Sequence, residues 1–199
     1  MIALIDYKAG NLTSVKKALA TIGADVFVPD TPADLADVAG IIVPGVGHFG
    51  ATRALDQPWI DAILARVGEG RPLFGICLGM QWLFEGSEEA PDLPGLGLLA
   101  GQCYRLTPEA PLKVPHVGWN SLEIQREGGL LDQVASGSQV YFTHGYVAPV
   151  NGDARAVTTH GSTFAAVVQR GHIGGVQFHP EKSGDVGLRI LRNFVELAG

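Results

Sequence analysis

The first 84 residues alternate short apolar runs with amphipathic segments, and that alternation leaves few architectures open. Met1–Ile5 is an apolar run ending at Asp6, the length of a buried parallel strand. Asn11–Ile22 carries Leu12, Val15, Leu19 and Ile22 at helical spacing, and Gly23 stops it. Strands are predicted at Asp25–Pro29, at Gly40–Val43, which Pro44-Gly45-Val46-Gly47 should break, and at Pro72–Ile76. Helices are predicted at Trp59–Val67 and Leu78–Phe84. Strands and helices joined this tightly form a parallel sheet wrapped by helices.

The second half reads differently. Residues 97–106, 118–125, 139–143, 154–160, 164–170 and 172–178 are short strand candidates separated by Gly, Pro and Asn, so hairpins are expected. Gly187–Leu197 closes the chain as an amphipathic helix. The expected fold is therefore α/β, a mixed and mostly parallel sheet with an antiparallel elaboration over residues 95–170. At 199 residues, with no linker or repeat, residues 1–199 are expected to form a single domain.

Composition narrows the function. Lys plus Arg number 14 and Asp plus Glu 20, a net charge of −6, so the basic field that nucleic acid requires is missing. Hydrophobic residues are 46% and charged residues 17%, enough apolar content for a core and too much for a disordered chain. No apolar run approaches the ~18 residues of a membrane helix. Asp6 interrupts the N-terminal run before a secretory core could form. The two cysteines, Cys77 and Cys103, cannot make a disulfide framework for this length, and a reducing, cytoplasmic setting is expected.

The most informative stretch is Phe74-Gly75-Ile76-Cys77-Leu78-Gly79-Met80-Gln81. A strand runs into Cys77, a glycine stands two residues to each side, and a helix follows. This is the strand–nucleophile–helix elbow with cysteine in the serine position. In open α/β sheets, sites form at the carboxyl ends of strands, where Cys77 falls. Cys103 has no such setting and reads as inert packing.

A thiolate nucleophile needs an acid/base, and histidine serves near neutral pH. Of His48, His116, His144, His160, His172 and His179, the last stands out because it ends a strand in Gln177-Phe178-His179-Pro180-Glu181. Glu181 can fold back to fix the imidazole's tautomer. His160 and His172 flank hairpin turns and read as solvated; His116 and His144 are candidates for lining the site. Their spacing matches no zinc pattern, and neither a metal nor a cofactor is expected. An acyl intermediate also needs oxyanion donors. Pro44–Gly47 follows a neighbouring strand and supplies one, and the backbone N–H of Leu78 a second. A phosphate loop is excluded, because G-K-[ST] is missing.

Pro44–Gly47, Gly75–Gln81 and Val176–Lys182 together resemble the class I, triad-type glutamine amidotransferases, and the three motifs span nearly the whole chain. Residues 6–12, 115–120, 141–146 and Lys182-Ser183 are similar to the branch of that family that feeds a (β/α)8-barrel synthase subunit in histidine biosynthesis. The resemblance implies L-glutamine as substrate, with Cys77 as nucleophile, His179 as acid/base and Glu181 as its orienter. It implies an oxyanion site at Val46, Gly47 and Leu78. Gly45, Gln81, His144, Gly145 and Tyr146 would hold the glutamine, and Asn11, Trp119, Asn120 and Lys182 would face the barrel. Gly145 stands where the family pattern carries serine, so only its backbone could contribute. Two other readings remain open at this point: an amidotransferase serving a different synthase, and a glutamine-sensing module without catalysis.

Overall fold

A computed structural model describes residues 1–199. In chain order the elements are β1 (Ile2–Leu4), α1 (Leu12–Thr21), β2 (Val26–Phe27), β3 (Gly40–Gly45), α2 (Gln57–Gly68), β4 (Leu73–Cys77) and α3 (Leu78–Trp82). There follow β5 (Gly86–Ser87), β6 (Gln102–Arg105), β7 (His116–Ser121), β8 (Glu123–Ile124), β9 (Gln139–His144) and β10 (Tyr146–Val147). The chain ends with β11 (Ala154–His160), β12 (Ser162–Arg170), β13 (Ile173–Val176) and α4 (Gly184–Leu197). No helix is long and apolar enough to cross a membrane.

An eight-stranded sheet, in the order β2-β1-β3-β4-β13-β12-β11-β8, carries the architecture. The five strands from β2 to β13 are parallel, and β12, β11 and β8 continue the sheet antiparallel. The central strands are buried on both faces, and their side chains alternate between two cores. Ile42, Phe74 and Ile76 pack toward α1 and α4 through Val15, Leu19, Ile190, Leu191 and Phe194. Ile41, Val43 and Leu73 pack toward α2 and α3 through Ile63, Val67, Met80 and Trp82. Two small sheets, β10-β6-β5 and β7-β9, stand beside this frame.

The structure corrects the sequence reading in three places. First, Pro44 does not end β3, which runs on to Gly45 with Pro44 opposite Ile76 and Gly45 opposite Cys77. The amide of Ile41 points to the β4 side, toward Pro72, and the carbonyl of Ile42 points to β1. By strand alternation the nitrogen of Pro44 faces β1, beyond the last β1–β3 pair at Leu4–Ile42, so no ladder bond is lost. Second, within the antiparallel elaboration, which forms as expected and in part continues the main sheet through the β12–β13 pairing, one expected strand divides in two. The rest of the elaboration builds the two small sheets. The segment expected as one strand over 118–125 divides at buried Leu122, with β7 pairing to β9 and β8 to β11. Third, His160 and His172 are half-buried and each donates a ring N–H to a carbonyl, of Lys113 at 2.8 Å and of Val67 at 2.9 Å.

Candidate active site

Cys77 closes β4 with φ +53° and ψ −107°, a left-handed conformation that costs a side-chain-bearing residue about 1–3 kcal/mol. The flanking glycines let the chain turn there. A Cβ on Gly75 would lie 2.5 Å from the Gly79 carbonyl oxygen and the Met80 nitrogen, and one on Gly79 would overlap the Val43 carbonyl. Gly79→Ala is therefore expected to cost about 3 kcal/mol or more, a fall in Tm of about 6–12 °C for a chain of this size, read in a thermal melt. Gly45 belongs to the same packing. It does not line the pocket described below; a Cβ there would overlap the Tyr7 hydroxyl and lie 2.8 Å from Leu78 Cβ.

His179 follows β13, the neighbour of β4, so its imidazole and the sulfur share one sheet rim. Its backbone N–H donates to Tyr141 O at 2.9 Å. The Ser183 hydroxyl donates to the His179 carbonyl at 2.6 Å and accepts from the Tyr141 amide at 3.0 Å, pinning this turn to β9. Nδ1 of His179 lies 2.8 Å from Glu181 Oε1, with both side chains almost wholly buried. A carboxylate accepts only, so Nδ1 carries the proton and Nε2 remains for the sulfur side. Nε2 lacks a well-formed hydrogen bond of its own. Burial, the largest influence, disfavours the imidazolium, but the Cys77 sulfur and the Glu181 carboxylate together raise the His179 pKa to about 9.

A pocket of about 300 Å³ opens at this rim, lined by Gly47, Cys77, Leu78, Gln81, Glu89, Pro115, Thr143, His144, Gly145 and Tyr146. Gln81 lines it and donates from Nε2 to Tyr146 O at 2.8 Å and to Gln177 Oε1 at 3.1 Å. Sequence reasoning missed Glu89, whose Oε2 accepts from the Phe49 amide at 2.6 Å. Gly145 has room for a side chain, its nearest neighbour being Val114 Cγ1 at 3.4 Å, so no steric reason requires glycine there.

Val46 differs from its expected role as a free oxyanion donor. Its N–H donates to Ala9 O at 2.5 Å, and its side chain is exposed. Gly47, at φ +90°, remains at the pocket edge, and Leu78 lines it.

Three buried or half-buried groups run from the pocket toward β7. His144 Nδ1 lies 3.1 Å from Tyr146 O, and a carbonyl accepts only, so Nδ1 donates and Nε2 accepts. His116 Nδ1, 3.1 Å from that Nε2, must then donate, and His116 Nε2 accepts from Asn120 Nδ2 at 3.4 Å. Burial is the main cause that lowers the pKa of His144 to about 3 and of His116 to about 4. The unfolded chain thus takes up these two protons near pH 6.5, before the folded one does. Stability from this pair is complete above about 6.5 and lost as pH falls toward 4. The fall in Tm between pH 6.5 and 4 is expected to be smaller in His116→Asn, as scanning calorimetry at both pH values would record.

The expected partner-facing residues do not all share a face. Strand alternation sends Trp119, 57% exposed, outward and Asn120 inward. The Asn120 amide donates to Thr159 O at 3.0 Å and its oxygen accepts from the Ser121 amide at 2.9 Å, leaving little for a partner. Trp119 meets Tyr141 edge-on at 6.0 Å, and exposed Lys182 holds its ammonium 5.7 Å from the Tyr141 ring centroid. Asn11 is exposed and caps α1 by accepting from the Ser14 amide at 3.3 Å.

Comparison with known proteins identifies the family. The family model for class-I glutamine amidotransferases matches residues 3–197. The chain is 48% identical to imidazole glycerol phosphate synthase subunit HisH of Gloeobacter violaceus, covering 99% of this chain and 89% of that one. It is 46% identical to the HisH subunit of Moorella thermoacetica (98% and 94% covered) and 47% identical to that of Halobacterium salinarum (98% and 92%). Among solved structures, a glutamine amidotransferase superposes with TM-score 0.78 at 24% identity over the full length of both chains. PurLQS from Thermotoga maritima superposes with TM-score 0.75 at 18% identity, over 98% of this chain and 97% of that one. These two likenesses establish the fold, and the closer relatives establish the branch. The chain belongs to the class I glutamine amidotransferases, within the family of imidazole glycerol phosphate synthase subunit HisH.

Proposed function

We propose that the chain, acting as a single domain in the cytoplasm, hydrolyses L-glutamine to glutamate and ammonia with Cys77, His179 and Glu181 as its triad. The observation that carries this reading is the buried His179–Glu181 pair at 2.8 Å, which leaves Nε2 for a cysteine held in a strained left-handed turn. The Cys77 thiolate attacks the side-chain amide carbon and forms the C–S bond. Leu78 N–H and the Val46–Gly47 segment stabilise the oxyanion, once the segment has turned from Ala9. His179 gives its Nε2 proton to the departing ammonia as the C–N bond breaks. A water then loses its proton to the same nitrogen and attacks the thioester, releasing glutamate and regenerating the thiolate. In the pocket, the Glu89 carboxylate suits the substrate's ammonium group, while Gln81 and the backbone from His144 to Tyr146 suit its polar end.

The ammonia passes to a (β/α)8-barrel synthase subunit, which forms imidazole glycerol phosphate and aminoimidazole carboxamide ribotide. Trp119, Tyr141 and Lys182 on one face, with Asn11 at the tip of α1, form the docking surface. Glu181→Gln is expected to reduce kcat less than His179→Ala, because Glu181 orients the imidazole and transfers no proton. Steady-state ammonia release by the two variants in the barrel complex tests that order; an equal or greater loss in Glu181→Gln would contradict it.

A further inference from the structure

We propose that Gln177 is a positioning residue for the nucleophile, its side-chain amide holding the Cys77 sulfur as the anion and fastening it to the substrate pocket. The inference rests on the reading of Cys77 as nucleophile and adds a group that reading did not use. Gln177 is fully buried just beyond β13, two residues before His179. Its backbone N–H is anchored on Ala166 O at 2.9 Å. Its side-chain Nε2 lies 3.6 Å from Cys77 Sγ, a hydrogen-bonding distance for the larger sulfur atom.

The orientation of this amide follows from its neighbours. Tyr146 O can only accept, so the group of Gln81 that faces it at 2.8 Å is the NH2. That NH2 also lies 3.1 Å from Gln177, so the Gln177 group facing it is the carbonyl oxygen. The remaining end of Gln177, the one facing the sulfur, is therefore the NH2. Turning it over would set two NH2 groups against each other and leave the sulfur facing an oxygen. Three hydrogen bonds from two amide groups thus link Tyr146 O, Gln81, Gln177 and Sγ, and the two that involve Gln177 are buried where an unpaired polar group is costly.

A thiolate accepts a hydrogen bond better than a thiol, so an N–H aimed at Sγ favours the anion. Gln177 and His179 would then act on the same sulfur from one short segment. Gln177 also ties that sulfur to Gln81 and Tyr146, two walls of the pocket.

The test is the pH dependence of Cys77 alkylation by iodoacetamide in the full chain, read by mass on the Cys77 peptide, with folding checked by circular dichroism. Gln177→Met keeps the length and removes the donor. Its midpoint is expected to rise by about one pH unit, with alkylation about tenfold slower at a pH well below both midpoints. Gln177→Glu keeps the shape but sets an anion beside the sulfur, and its midpoint is expected to rise further. Gln81→Met leaves Gln177 in place but frees its amide to turn, and a smaller shift in the same direction is expected. A midpoint within about 0.2 units of wild type in whichever of these variants fold would overturn the proposal. Failure of the underlying reading looks different: in that case wild-type Cys77 itself would alkylate no faster than a free thiol at neutral pH.

Discussion

Replacing Cys77 by alanine is expected to lower glutamine-dependent ammonia release by about 10⁴-fold or more, since loss of a nucleophile leaves only binding and oxyanion stabilisation. The same variant, in complex with the barrel subunit, is expected to keep synthesis driven by added ammonium salt near the wild-type rate. The two halves belong together. Cys77 lines the pocket at the sheet rim, and its loss removes the covalent step without touching the exposed face around Trp119 and Lys182. Truncation to alanine keeps the Cβ and so keeps the strained turn. A Cys77→Ala protein that still released ammonia from glutamine would remove the mechanism. One that lost ammonium-driven synthesis as well would show the substitution to have damaged the complex.

The second large effect is expected on binding of the proposed barrel partner. With its N–H bonded to Ala9 O, Val46 cannot donate to an oxyanion. Loss of one oxyanion donor costs about 10²–10³ in kcat. Isolated, the chain is therefore expected to turn over glutamine about 10²–10³ times more slowly than with the barrel subunit and its ligand bound. Gly47 at φ +90° gives the segment the freedom to reorient, and exposed Val46 gives a partner access to it. Ammonia release measured with and without the purified subunit decides the matter. Equal rates would mean that the Ala9–Val46 bond has no bearing on turnover.

How much of this was legible in the sequence depends on how far along the chain each relation reaches. The Cys77 elbow and the His179–Glu181 pair are local, written in glycine spacings and in two residues of separation; Cys77 has φ +53° and His179 Nδ1 lies 2.8 Å from Glu181 Oε1. Glu89 was invisible, because what gives it meaning is a bond to Phe49 forty residues earlier and a pocket assembled from distant segments. Gln177 stood beside His179 in the same motif, yet its partner Cys77 is a hundred residues away. Asn120 was placed beside Trp119 by the family resemblance, and the inward turn of its side chain came only with the strand, which sends neighbours to opposite faces. Pro44 was misread because a missing N–H matters only where a partner carbonyl waits, and β1 has already ended there. Local stereochemistry reads directly from the chain; pairings that need the sheet to exist do not.

The most direct test of the triad's assembly at a glutamine pocket is to treat the barrel-bound protein with a diazo-ketone analogue of glutamine and map the adduct by peptide mass. A single adduct on Cys77, suppressed by excess glutamine and leaving buried Cys103 unmodified, is the expected result. Modification elsewhere, or undiminished ammonia release from a fully labelled protein, would contradict it.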